Sequence, residues 1–281
     1  MPSFWENIMF EGVGYSSGSA FDGYQGLDMA SYVSFPVGAT ATPAIIVCQE
    51  AFGVNGHIQK VCDRFAQEGY VAIAPALFHR GQHPNPKLGY GDADAPARNR
   101  YMSNLRDDEL VTDINQTIRY LQGAQGAYLR AVGQRIGIVG FCVGGRIAYL
   151  AATSCPGLSA ASVYYGGRIL IPFGEGPAPV DLTKNINIPV MGNFGGKDTN
   201  PSPADVAQIE AELKKNGKTY DFKSYPVAGH GFNCDERASY HEASAKDAWS
   251  RTLSWFNRYV KQGQPAQAAA APRGGARRPA R

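Results

Sequence analysis

The chain has 281 residues, 44% of them hydrophobic, which is enough to bury a substantial core, and no apolar run reaches the length of a membrane span. Its formal charge of +3 belongs to its end: residues 263–281 carry Arg273, Arg277, Arg278 and Arg281 and no acid, so the rest is near −1 and neither a nucleic-acid nor a membrane partner is expected. The five cysteines, at 48, 62, 142, 155 and 234, form no Cys-x-x-Cys pair and read as free thiols of a cytoplasmic protein, and the N-terminus lacks the basic-then-apolar pattern of a secretory signal.

In chain order, residues 31–36 and 44–48 read as strands. Residues 55–68 read as a helix, with Ile58, Val61, Cys62 and Phe65 on one face at helical spacing. A short buried strand at 70–74 ends at Pro75, and a Gly/Pro/Asn-rich loop covers 81–98. Leu105, Leu110, Ile114, Ile118 and Leu121 recur every three to five residues and predict a helix over 103–122. Strands are predicted at 135–139, 162–165, 188–192 and 221–225, and helices at 143–152, 204–216 and 240–260. Strand–helix alternation over most of the chain implies an α/β fold, a doubly wound, mostly parallel sheet with helices on both faces and ligands at the carboxyl ends of the strands. Residues 1–262 are expected to form this domain. Residues 263–281, rich in Ala, Pro and Arg, are expected to be a disordered tail, since they have almost no large apolar side chain to offset the entropy of ordering.

The segment Gly140-Phe141-Cys142-Val143-Gly144 joins the strand at 135–139 to the helix at 143–152. This is the nucleophile elbow of the α/β-hydrolase fold with Cys in place of Ser. The turn is sharp, so side chains at Gly140 and Gly144 would collide with the neighbouring strand and helix. Cys142 then sits at a helix N-terminus, where the dipole favours a thiolate, and the Val143 N–H is a natural oxyanion donor. In this fold the acid and then the base follow the nucleophile. Of the two downstream histidines, His230 lies in a glycine-flanked loop after a strand, whereas His241 opens the last helix. Asp198 follows the strand at 188–192, and Asp181 precedes it and is at the wrong end. Cys142, His230 and Asp198 are therefore the candidate nucleophile, base and orienting acid.

The blocks Gln49-Glu-Ala-Phe-Gly-Val-Asn55, Gly140-Phe-Cys-Val-Gly-Gly145, Tyr164-Tyr-Gly166, Gly196-Lys-Asp198 and Gly229-His-Gly-Phe232 resemble those of the dienelactone hydrolase family, in the family's order, over about residues 30–260. The resemblance implies a hydrolase that opens a small anionic lactone or cleaves a small ester, as carboxymethylenebutenolidases do, through a Cys-His-Asp triad and an acyl-enzyme. It also implies that Glu50 lies near the thiol and controls its protonation, that Ala51 gives the second oxyanion N–H, that Arg80 anchors a substrate carboxylate, and that Tyr164 lines the pocket. The family's second carboxylate-binding arginine falls where this sequence has Cys234. Either Arg237, three residues on, reaches the same space, or that anchor is missing.

Two other readings remain: a carboxylesterase of broad specificity, and a binding or redox-sensing relative with little turnover. No cofactor and no metal are expected. Gly12-Val-Gly-Tyr-Ser-Ser-Gly18 has no preceding strand to make a dinucleotide loop, and Gly81 and Pro84 spoil a helical metal-binding face for His79 and His83.

Overall fold

Eight strands form one sheet in the computed structural model, which describes residues 1–9, 28–38, 40–81, 83–124 and 126–266. The strands are β1 (Ser3–Met9), β2 (Asp28–Ser34), β3 (Ala44–Cys48), β4 (Val71–Pro75), β5 (Ile136–Phe141), β6 (Leu158–Tyr164), β7 (Val190–Gly195) and β8 (Tyr220–Tyr225). Their order across the sheet is β1-β2-β4-β3-β5-β6-β7-β8. From β4 to β8 all neighbours are parallel, and β2 pairs antiparallel with both β1 and β4. This is the α/β-hydrolase sheet expected from the alternation of elements. The glycine-rich segment Gly12–Gly18 lies outside the described residues, as does most of the tail, 267–281.

Pleating divides the apolar side chains between the two faces. On β3, Ala44, Ile46 and Cys48 join one core cluster, and Ile45 and Val47 join the other. The first face is covered by α3 (Asp107–Gln122), α4 (Val143–Ser154) and α5 (Pro203–Lys215), the second by α1 (Gly56–Gln67) and α6 (Glu242–Phe256). Asn55 caps α1 by accepting from the Ile58 N–H at 3.4 Å, and Ile58, Val61, Cys62 and Phe65 are all buried as their spacing predicts. Each such side chain contributes about 1.5–3 kcal/mol relative to exposure.

The structure departs from the periodic reading in two places. The predicted loop 81–98 gives way at Ala95 to a separate helix, α2 (Ala95–Ser103), with proline in its first turn. The run predicted as one helix from residue 103 restarts only at Asp107, because Arg106 is extended and Asp107, Asp108 and Glu109 supply an acidic first turn. The strand β1 was not foreseen; it lies at the sheet edge and takes its register from β2, with Phe4 opposite Val33 and Ile8 opposite Met29. Among the described residues no helix is long and apolar enough to cross a membrane.

The restart at Asp107 has a tertiary cause. Its carboxylate pairs with the fully buried Arg146 of α4 through both guanidinium nitrogens, and accepts the Phe173 N–H at 2.9 Å. Arg146 also donates to the Arg168 carbonyl at 2.9 Å and the Ile171 carbonyl at 2.8 Å. One buried guanidinium therefore ties α3, α4 and the segment 168–173 together. Asp107→Ala strands that charge and should lower unfolding free energy by about 3–5 kcal/mol in urea titration. The paired change Asp107→Leu with Arg146→Met should recover much of the loss; a single-variant loss under about 1 kcal/mol would show that the pair adds little.

Candidate active site

Cys142 stands between β5 and α4 with φ 57° and ψ −121°, a left-handed conformation that costs a non-glycine residue about 1–3 kcal/mol. The flanking glycines make the turn possible. A Cβ on Gly140 would lie 1.8 Å from the Gly144 carbonyl oxygen, and one on Gly144 would lie 2.3 Å from the Cys48 carbonyl oxygen. The Cys142 N–H is held by the Tyr164 carbonyl at 3.1 Å, so the neighbouring strand fixes the elbow from below.

Residues from three strand ends meet here. Cys142 Sγ is 3.1 Å from His230 Nε2, and His230 Nδ1 is 2.8 Å from Asp198 Oδ2. The second oxygen of Asp198 accepts the Asn200 N–H at 2.8 Å. The loops carrying acid and base are stitched together by their backbones: the Gly196 N–H donates to the Tyr225 carbonyl at 2.8 Å and the Lys197 N–H to the Ala228 carbonyl at 2.9 Å. The Tyr165 ring stands edge-on to the His230 ring at 5.2 Å. Burial alone would lower the His230 pKa. Electrostatic attraction to Cys142 and the hydrogen bonds to Asp198 and Cys142 outweigh it, and the imidazole is raised to about 10.

A cleft of about 180 Å³ opens over the sulfur, lined by Cys142, His230, Ala51, Val143, Arg98 and Arg168, among others. Ala51 and Val143, the two expected oxyanion donors, line the same cleft as Cys142. Glu50 is fully buried, and its Oε1 is 3.3 Å from Arg237 Nη1. Burial lowers the Arg237 pKa, but the charges of Glu50 and Cys142 prevail and raise it. Arg237, three residues beyond the position that Cys234 occupies, thus pairs with Glu50 and, like Arg80, is not among the residues lining the cleft.

Two expected binding residues stand elsewhere. Arg80 does not line the cleft: its guanidinium makes two 2.6 Å bonds to the buried Asp113 of α3. Burial raises the Asp113 carboxyl, but His79 and Arg80 outweigh it and hold it low. Tyr164 also lies away from the cleft, because it is the last residue of β6 and packs into the core, against Phe141 at 4.6 Å, with its hydroxyl 2.8 Å from that of Thr252. Its neighbour Tyr165, which breaks the strand at φ 37°, is the tyrosine against His230. Arg98 and Arg168 went unnoticed in the sequence. Arg98 sits in the stretch predicted as loop and Arg168 follows β6, and nothing local marks either as facing the thiol.

Known proteins similar to this chain agree with one another. The model of the dienelactone hydrolase family matches residues 29–260. A protein of Salmonella typhimurium provisionally named a carboxymethylenebutenolidase is 38% identical over 238 residues, covering 84% of each chain. A Synechocystis protein with the same provisional name is 38% identical over 239 residues, covering 84% of this chain and 94% of its own. A crystal structure from Klebsiella pneumoniae, provisionally named a dienelactone hydrolase, superposes with a TM-score of 0.76 at 35% identity, covering 92% of this chain and all of the other.

His230 should keep its second proton until the pH rises through about 10, and NMR titration of its ring checks this. In Cys142→Ala, which removes the largest raising influence, the titration should move down. An unchanged value would exclude the sulfur as its cause.

Proposed function

The chain belongs to the dienelactone hydrolase family and is a hydrolase of ester or lactone bonds, and we propose that it opens a small anionic lactone or ester through a thioester on Cys142. The observation that supports this most is the hydrogen-bonded line from Cys142 Sγ through His230 to Asp198 beneath a cleft. In the proposed reaction the sulfur, its proton passed to His230, attacks the carbonyl carbon and the carbonyl oxygen becomes an oxyanion, received by the Val143 and Ala51 N–H groups. Collapse forms the C–S bond and breaks the ring or alkoxy C–O bond, and His230 delivers a proton to the leaving oxygen. Water then attacks the thioester, giving a proton to His230, and the sulfur departs. Asp198 holds the His230 tautomer and stabilises the imidazolium. A carboxylate beside a thiol disfavours its ionisation, so Glu50 restrains Cys142 in the resting enzyme. Its pairing with Arg237 weakens that restraint, which makes Arg237 a positioning residue for Glu50. Five unpaired cysteines support a cytoplasmic setting.

For the substrate carboxylate, the arginines that suit the geometry are Arg98 and Arg168, which line the cleft, while Arg80 is occupied by Asp113. A carboxylate received by one guanidinium gains roughly 1.5–3 kcal/mol.

Cys142→Ala should abolish turnover of a small activated ester and the acyl adduct seen by mass spectrometry, with the fold intact. Residual turnover within about tenfold of the parent would sink the nucleophile assignment. Arg98→Ala or Arg168→Ala should raise KM for anionic lactones by about ten- to a hundredfold at 1.4 kcal/mol per decade, and for neutral esters far less. Arg80→Ala should cost stability with little discrimination between the two substrates. A selective KM effect in Arg80→Ala alone would return the anchor to Arg80.

A further inference from the structure

Glu50 follows β3, His57 lies in the first turn of α1 and Cys234 comes four residues after His230. All three are buried, and one ligand-capable atom of each lies within 4.8 Å of the other two. Glu50 gives Oε1 to Arg237, whereas Glu50 Oε2 and His57 Nε2 are buried with no hydrogen-bond partner. A buried polar atom left unpaired costs about 1–3 kcal/mol, so two of them on residues clustered with one buried thiol call for a ligand.

We propose that Glu50, His57 and Cys234 form a binding site for a zinc-type divalent cation. One sulfur, one imidazole and one carboxylate are the donors that a borderline-soft tetrahedral ion takes, with a fourth position left for water. Magnesium and calcium select oxygen and have no use for the thiol. His57 is prepared for the role. Its ring is buried, and Nε2 has no hydrogen-bond partner within the protein. Asp235 Oδ1 stands 4.0 Å from His57 Nδ1, on the side of the ring away from Nε2, where a carboxylate favours the Nδ1–H tautomer and leaves Nε2 as the ligand atom. Binding displaces the Cys234 thiol proton. The thiolate and the Glu50 carboxylate then balance the two charges of the cation, and the Tyr90 hydroxyl, 3.2 Å from Cys234 Sγ and anchored by Asn55, remains to hydrogen-bond the sulfur. Arg237 opposes the cation electrostatically, but it occupies the other oxygen of Glu50.

The site shares Glu50 with the proposed hydrolytic machinery, yet its test requires no turnover. The full chain carrying Cys142→Ala, which cannot bind metal through the catalytic thiol, is titrated with zinc chloride by calorimetry under reducing conditions, and with cobalt(II) by absorption. One zinc equivalent should bind, and cobalt should give a sulfur-to-metal charge-transfer band. Adding Cys234→Ala should abolish that band and weaken zinc at least tenfold, and adding His57→Gln should weaken zinc comparably while the band persists. If Cys234→Ala does not fold, as judged by circular dichroism, Cys234→Ser carries the same test. No zinc binding by the Cys142→Ala protein, or binding unchanged by both added substitutions, overturns the proposal.

Discussion

Close backbone approach at one turn sets the position of everything else in this site. The helix α4 begins against the ends of β3 and β5 so closely that neither Gly140 nor Gly144 has space for a methyl group. That approach forces Cys142 into a left-handed conformation and presents its sulfur at the sheet edge, where the segments after β7 and β8 also emerge. A looser turn would accept ordinary residues but would let the thiol swing away from His230. The strain at Cys142 is therefore linked to the 3.1 Å contact that makes the pair chemically useful.

The second requirement is that base and acid keep one spacing although 32 residues separate them in the chain. Two backbone hydrogen bonds between their loops achieve this without any side chain, so the spacing does not depend on what the cleft holds. The electrostatics follow from the same arrangement. A half-buried imidazole between the Cys142 sulfur and a buried carboxylate retains its proton far above the usual range for histidine, even though desolvation acts against it.

How much of this was legible in the sequence depended on whether the signal was local. The elbow, His230 and Asp198 each sit in a short glycine-marked segment after a strand, so pattern alone located them. The core strand Ala44–Cys48 and the helix after Asn55 were likewise readable, the helix from its apolar spacing. Arg80 and Tyr164 were placed by resemblance, and long-range packing assigns them to Asp113 and to Thr252. The break between α2 and α3 was hidden because apolar periodicity runs through it; what ends the helix is the demand of Arg146 for Asp107, a partner 39 residues away. Glu50, His57 and Cys234 have no mutual spacing to notice, since the sheet alone brings them together.

Arg146 has one further consequence. The rim of the cleft is built from α2 and from residues 167–173, none of which belongs to the sheet. The second of these segments hangs on the buried guanidinium through backbone carbonyls, which any residue type supplies. The side chain of Arg168 can therefore be exchanged while its backbone support stays the same, whereas Ile169 and Phe173 are buried in the core. The wall of the cleft is thus separable from its floor: a library randomised at Arg168 would alter the shape and charge of the cleft while the buried guanidinium goes on holding the backbone beneath it.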